Sequence, residues 1–283
     1  MNVATEQHLP QSGGWTGHLE LGYENNDHET ILVRNRHQGP LVVQRPLYPE
    51  GNEVCHTCIL HPPGGVVGGD ILEIDVELGD SSSVCITTPG ATKFYRSQGQ
   101  LAVQKQLLRV ADKACLEWLP QDAIVFPGAR ASLSTRIDLA PNATFMGWEI
   151  LCLGLPVNRE PFNSGVFHSR LSLYRDKKIV FLDQLRIKTR QDLMRSTGLR
   201  NYPVTSTFIL TSGTVEHLEL IRTIPAEEKH SLTAATLLHH DLLVIRYLGH
   251  STFAAQDFFA YIWQILRPEI ISRPACAPRI WAT

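Results

Sequence analysis

The chain has 283 residues, 43% hydrophobic and 19% charged, with a formal net charge of −2. That is ample apolar material for a packed core, and no run approaches the ~20 consecutive apolar residues that a membrane-spanning helix needs. Nearly balanced charge excludes the electrostatic footprint of a nucleic-acid or anionic-membrane binder, so any partner must be recognised by shape and local chemistry.

Residues 1–14 lack a basic patch followed by an apolar stretch, and they read as a loose polar tail rather than a secretory signal. Residues 15–283 are expected to form one domain. Six cysteines (Cys55, Cys58, Cys85, Cys115, Cys152 and Cys276) are spread through the chain, mostly inside apolar runs. They are read as buried thiols of a reducing compartment, which makes the expected location cytoplasmic.

From Leu19 to about Leu210, short runs of Val, Ile, Leu and Thr are broken by Gly, Pro, Asn and Asp. This is a strand-and-turn pattern. Strands are expected at 31–34, 41–44, 54–60, 71–78, 83–88, 102–110, 115–119, 132–139, 144–151, 165–174, 178–188 and 206–211. Between 71 and 78, the acidic residues Glu73, Asp75 and Glu77 alternate with Leu72, Ile74, Val76 and Leu78, as a half-buried strand requires. No helix separates the strands, which excludes the βαβ pattern of a nucleotide-binding α/β protein.

The expectation is a mainly β body to about residue 215, in stacked or coiled sheets and without a sequence repeat, followed by an α/β part over 216–283. There Ala226–Leu238, with Pro225 before it and Glu227 and Glu228 in its first turn, is expected to be helical. A strand at 242–247 follows. A second helix, capped by Ser251 and stopped by Pro268, carries Ala255, Phe258, Phe259, Ile262, Trp263 and Leu266 on one stripe. Such a stripe normally packs into a core, and part of it is a candidate partner surface.

The most conspicuous loop is His61-Pro62-Pro63-Gly64-Gly65-Val66-Val67-Gly68-Gly69-Asp70. It lacks the Gly-Lys-Ser/Thr ending and the G-x-G-x-x-G spacing of phosphate loops, and a strand follows it. Two readings stand: a tight connection between strands, or a device that holds Asp70 in an internal cavity. Cys55-His56-Thr57-Cys58 contains C-x-x-C, but residues three apart on a strand face opposite sides and cannot chelate one ion without a turn. Thr87–Ser97 reads as a surface turn with solvated charges.

Four carboxylates sit among apolar residues: Asp70, Glu117, Glu149 and Asp183. If they point inward, such a set suits a hard or borderline divalent ion in passing. Two other functions compete: a stand-alone zinc-binding interaction module built on Cys55 and Cys58, and a hydrolase using Asp70 or His61 of the glycine-rich loop. No G-x-S-x-G elbow supports a hydrolase.

Several strings taken together resemble the UreD (UreH) family of urease accessory proteins. They are 14–21 (GWTGHLEL), 37–51 (HQGPLVVQRPLYPEG), Cys55-His56, the His61–Asp70 loop, 89–97 (PGATKFYRS), 117–122 (EWLPQD), Cys152-Leu153-Gly154, Leu266-Arg267-Pro268 and Pro278-Arg279-Ile280-Trp281. They span nearly the whole chain in the family's order. Two places depart: Leu155 stands where the family usually has Arg, and Asn158-Arg159 stand before Glu160 where it has a small residue and Gly.

The resemblance implies a mainly β, β-helix-like fold with two helices toward the C-terminus and no catalytic activity. It implies assembly with UreF and, through UreF, with UreG, the GTPase that carries nickel, and delivery of nickel to apo-urease. No tightly bound cofactor is expected, only nickel in transit. The candidate transient ligands are Asp70, Glu117, Glu149, Asp183, His61, Cys55 and His56. The candidate partner contacts are Arg279, Ile280, Trp281, Phe259 and Trp263.

Overall fold

The computed structural model describes residues 14–282, so of the expected N-terminal tail only Gly14 is within the described residues. The strands in chain order are β1 (Thr16–Asn26), β2 (Glu29–Gln38), β3 (Val42–Val43), β4 (Val54–Leu60), β5 (Ile71–Leu78), β6 (Ser83–Thr87), β7 (Thr92–Phe94), β8 (Ala102–Val110) and β9 (Cys115–Leu119). They continue as β10 (Ala123–Val125), β11 (Arg130–Leu139), β12 (Thr144–Leu155), β13 (Glu160–Pro161), β14 (Val166–Arg175), β15 (Lys178–Ile187), β16 (Val204–Leu210), β17 (Leu232–Leu238) and β18 (Leu242–Gly249). The helices are α1 (Arg190–Met194), α2 (Val215–Thr223) and α3 (Thr252–Ile271).

From β5 to β12 the longer strands alternate between two sheets. Sheet I runs β15-β14-β11-β8-β5-β1-β2, and sheet II runs β17-β18-β16-β12-β9-β6-β4-β3, with β7 and β10 forming a short parallel ladder beside β12. The chain places β5 in sheet I, β6 in sheet II, β8 back in sheet I, β9 in sheet II, then β11 and β12 likewise. Ile71 lies beside Val103 and Val103 beside Ser132, all in parallel. Ser83 lies beside Cys115 and Cys115 beside Thr144 in the same sense. The result is a β-helix-like coil of roughly 30 residues per turn, closed at its edges by antiparallel pairs. The coil is a repeat of backbone register only, which is why the sequence shows no period.

The alternation read from residues 71–78 is obeyed: Leu72, Ile74, Val76 and Leu78 are buried between the sheets. Glu73 meets Lys105 at 2.9 Å on the outer face, and Glu77 meets Arg34 at 2.6 Å. These exposed pairs contribute little to stability, but they keep that face soluble. β1 obeys the same rule with Leu19, Leu21 and Tyr23 inside.

The two longer helices lie toward the C-terminus as expected, but the first occupies a different segment. Residues 232–238 are the edge strand β17, paired antiparallel to β18, because the otherwise open backbone edge of β18 needs hydrogen-bond partners and Thr233 and Thr236 tolerate an extended chain. The helix is α2 instead. Its Thr214 hydroxyl accepts from His217 N, while Thr214 N donates to His217 Nδ1, so a histidine completes a capping box usually built with Glu or Gln. Pro268 does not stop α3 either. It lies inside the last turn, and the helix ends at Ser272, whose φ is 55°.

The stripe of α3 is core. Ala255, Phe258, Phe259, Ile262, Trp263 and Leu266 are buried against Met146, Trp148, Ile150, Phe208, Ile245 and Tyr247 on the outer face of sheet II. Trp281 folds back onto the same cluster: its ring lies 5.6 Å from Trp148 and 5.8 Å from Trp263, and its Nε1 donates to Thr87 Oγ1 at 3.1 Å. Phe259 and Trp263 are therefore internal packing residues, which corrects their expected place on a partner surface, whereas Trp281 packs on the cluster while half-buried. The driving cause is area: an amphipathic helix buries its aromatic face on the nearest apolar sheet of its own chain.

Beneath α3 sits a fully buried guanidinium. Arg267 Nε donates to Glu117 Oε2 at 2.9 Å, and Nη2 donates to Glu117 Oε1 at 2.9 Å and to Glu50 Oε1 at 2.7 Å. Trp263 Nε1 donates to Glu117 Oε2 at 2.6 Å, and His56 Nε2 lies 2.7 Å from Glu50 Oε1. Burial pushes the Glu50 carboxyl up, but His56 and Arg267 outweigh it and hold its pKa below the usual range. Removing the cation leaves two buried carboxylates uncompensated. Arg267→Met is expected to cost about 3–5 kcal/mol in urea unfolding at pH 7. The deficit should shrink in acid, because stability from a carboxylate with a lowered pKa is lost as pH falls below 4.5. A loss under ~1 kcal/mol would show that the pair merely fills space.

Candidate functional site

Parallel register stacks inward side chains at equal height. In sheet I one row is Leu72, Gln104, Leu133 and Ser169, and the next is Ile74, Gln106, Thr135, Leu171 and Asp183. Polar groups on neighbouring coils thus meet in one patch. Facing them from sheet II is Glu149 on β12. Ser169 Oγ donates to Glu149 Oε2 at 2.9 Å. The Thr135 hydroxyl lies 2.8 Å from Gln106 Oε1 and 3.2 Å from Glu149 Oε1, and its single proton can serve one of them at a time. Gln104 Oε1 is buried without a hydrogen-bond partner among the described residues.

Two cavities meet at this patch. The first, about 290 Å³, is lined by Gln104, Gln106, Thr135, Trp118 and Phe145, with His61, Gly64, Thr88–Lys93 and Gln121 at its rim. The second, about 300 Å³, is lined by Ser169, Asp183, Thr207 and Arg246, with Thr197–Leu199 at its rim. Glu149 and Leu171 line both. Glu149 is therefore the one acid shared by the two spaces.

Burial pushes the Glu149 carboxyl up to about 7. The Ser169 and Thr135 hydroxyls oppose the rise, Asp183 adds to it and Arg246 offsets part. It is a carboxyl that exchanges its proton near neutrality, with lone pairs that two hydroxyls only partly satisfy. Asp183 is ion-paired to Arg246, whose Nη1 also donates to Thr207 Oγ1 at 2.9 Å. His61 stands at the rim of the first cavity. Burial holds its pKa below the usual value against the opposing field of Asp70, so the imidazole is neutral and able to donate a lone pair at pH 7.

The other sequence candidates lie elsewhere. Asp70 does not line the cavity: its Oδ1 accepts from Trp15 N at 2.8 Å and its Oδ2 from Val67 N at 2.9 Å, which makes it the brace of the glycine-rich loop. That loop is a tight connection from β4 to β5, packed so closely that a Cβ on Gly65 would lie 2.2 Å from the Tyr95 ring. Glu117 points out of the coil to Arg267, so both its oxygens are used there. Cys55 is buried between the sheets, whereas His56 and Cys58 lie on the opposite face of β4. One ion cannot bridge Cys55 and Cys58, and the zinc-module reading falls with that geometry.

Gln104, Gln106, Thr135 and Ser169 were not picked out from the sequence. Their signal was a broken phase: in Ala102, Gln104, Gln106, Leu108 and Val110, two amides occupy positions that the alternation reserves for apolar groups. The Thr87–Ser97 segment, read as a surface turn, supplies part of the cavity rim.

A family model described as UreD urease accessory protein matches residues 16–282. This chain belongs to the UreD family. Proteins named urease accessory protein UreD are 42% identical in Alcanivorax borkumensis, over 95% of this chain and 93% of that protein. The UreD of an Azoarcus species is 43% identical and that of Pseudomonas putida strain W619 is 44% identical, each over 95% of both chains.

The departures from the UreD pattern lie where β12 turns into β13. Leu155 pairs with Glu160 across that turn, and Arg159 adopts φ 59°, a left-handed conformation that favours glycine. A left-handed conformation is costly for a residue with a Cβ and free for glycine. Arg159→Gly is therefore expected to raise unfolding stability by about 0.5–1 kcal/mol in urea titrations; an unchanged or lower midpoint would show that the Arg159 side chain offsets the strain.

Glu149 makes a second prediction. Its folded pKa lies above the ordinary 4.5, so its contribution to stability is present below 4.5 and is lost as pH rises through about 7. Glu149→Gln should remove that decline and leave the variant more stable than the parent at pH 8 by on the order of 3 kcal/mol. Superimposable stability profiles of parent and variant from pH 5 to 8 would contradict it.

Proposed function

We propose that this chain is a non-catalytic scaffold and nickel conduit of urease maturation, working in the cytoplasm within an assembly of UreF and UreG and handing nickel to apo-urease. The observation that carries the conduit reading is Glu149, shared by two cavities and surrounded by oxygen donors. A conduit needs ligands that bind and release. Amide, hydroxyl and carboxylate oxygens hold borderline divalent ions weakly, whereas a closed set of thiolates and imidazoles retains them. A carboxyl with a pKa near neutrality can exchange a proton for a cation and take the proton back when the ion leaves. Neutral His61 at the rim suits the first capture, and the Asp183–Arg246 pair in the second cavity suits a stop that a nearby cation keeps shallow. Asp70 acts on this route through the loop it braces and through its field at His61.

With Phe259 and Trp263 buried in the chain's own core, the exposed large apolar residues left for UreF on α3 are Phe253, 72% exposed, and Tyr261, 53% exposed. Arg279, exposed in the C-terminal segment, and half-buried Ile280 and Trp281 extend that surface.

The test is urease matured in cells that express the full accessory set with Glu149→Ala in this chain. The expected result is a severalfold loss of nickel per urease active site and of urea hydrolysis, with unchanged co-purification of UreF. Normal nickel content with normal complex assembly would remove Glu149, and with it the intersheet route. Lost co-purification would instead mark a folding or docking defect, and Glu149→Gln, which keeps the shape, then decides between them.

A further inference from the structure

The row beside the buried guanidinium holds more metal-binding chemistry than the intersheet cavities. His56, Cys85 and Glu117 stand side by side on the outer face of sheet II, on β4, β6 and β9. Glu50, from the segment before β4, reaches the same place. The chain after α3 returns there and brings Cys276. Donor atoms of Glu50, His56 and Cys276 lie within 4.8 Å of one another. The side chains of His56 and Glu50 are only 8% and 10% exposed, and Cys276 is half-buried.

A second observation points to a ligand. Glu50 Oε1 is saturated by His56 and Arg267, but Glu50 Oε2 is buried with no hydrogen-bond partner among the described residues. An uncompensated carboxylate oxygen in a protein interior is expensive. Charge leads the same way. Glu50 and Glu117 carry two negative charges against the one positive charge of Arg267. A divalent cation that binds with loss of the Cys276 thiol proton adds one net positive charge and balances the group.

We propose that Glu50, His56 and Cys276 form a binding site for one borderline divalent cation of the zinc or nickel class. The ion binds the Glu50 carboxylate and His56 Nε2 with the ring proton moved to Nδ1, so the Cys276 thiol proton is the one proton released. One thiolate, one imidazole and one carboxylate are the donor set that this class of ion prefers over magnesium or calcium. Bonds of ~2.0–2.3 Å set the three donors roughly 3.5 Å apart; His56 and Glu50 are already that close, and the tail segment supplies the remaining approach, on the order of 1 Å, by moving Cys276. The bound ion joins residues 50–56 to the chain after α3 and so fastens the C-terminal segment to the β body. This site is separate from the passage around Glu149, because sheet II lies between them.

The test uses the purified full chain, with Zn²⁺ and Ni²⁺ as probes. Ni²⁺ is expected to give a thiolate-to-metal charge-transfer band in the near ultraviolet, and Zn²⁺ to bind at one equivalent. Cys276→Ser should abolish the band and weaken Zn²⁺ by at least ~10-fold. Cys58→Ser, which changes a half-buried thiol outside the trio, should leave both unchanged. Zn²⁺ should slow tryptic cleavage after Arg279 in the parent and not in Cys276→Ser. Binding that survives Cys276→Ser and is lost in Glu149→Ala would place the ion in the intersheet cavities and overturn the proposal. No band and no zinc-dependent protection of the tail would overturn it as well. If Cys276→Ser fails to fold, alkylation of Cys276 in folded parent protein gives the same readout: protection by Zn²⁺ supports the site, and equal rates with and without Zn²⁺ refute it.

Discussion

In a coil of parallel strands, a side chain at a given height has to sit beside its counterpart in the next coil. That constraint fixes everything inside this molecule. Where the inward positions are Val76, Leu108, Ile137 and Leu173, the sheets close on each other as an apolar core. One and two rows away, the same geometry gathers Gln104, Gln106, Thr135 and Ser169, and polar groups that cannot interlock like leucines leave space around Glu149. The cavities are therefore a consequence of which coil positions carry polar residues, with no special loop or domain boundary required.

The second layer of organisation is the use of sheet II on both faces. Along β12, Phe145, Leu151 and Leu153 join the intersheet core, while Met146, Trp148, Ile150 and Cys152 join the cluster under α3. A strand with both faces buried shows no amphipathic alternation, and apolar content alone cannot say which residue faces which layer. Glu149 and Glu117 illustrate the difference. Both are acids in apolar strings, yet one faces oxygen donors across a cavity, and the other is clamped by a guanidinium and an indole. The first is left with exchangeable lone pairs at a pKa near neutrality, and the second is an anchor for the helix.

That anchor also joins three parts of the chain that are far apart in sequence. Arg267 binds Glu117 of β9 and Glu50 before β4, and its Nη1 donates to the carbonyl of Pro274. The C-terminal segment is thereby drawn onto sheet II, where Trp281 closes over Trp148 and Trp263. The helical end is thus an integral third layer. The surface it presents outward is set by Phe253 and Tyr261, because its larger aromatics are spent on the core.

The sequence by itself determined the class of fold. Short alternating runs with glycine and proline breaks specify strands whatever their order, and Leu72 to Leu78 were assigned to the correct faces because only one of those faces is apolar. The opposite-face geometry of Cys55 and Cys58 followed from strand periodicity alone, and the family followed from long strings in order. Tertiary structure alone decided the rest. Residues 232–238 became a strand because β18 had a free edge, a fact about a neighbour and not about their own composition. Asp70 became a loop brace and Glu117 a helix anchor because their partners, Trp15 N and Arg267, are 55 and 150 residues away. The polar patch around Glu149 draws one residue from each of several coils, and local periodicity cannot show which coils will stand side by side.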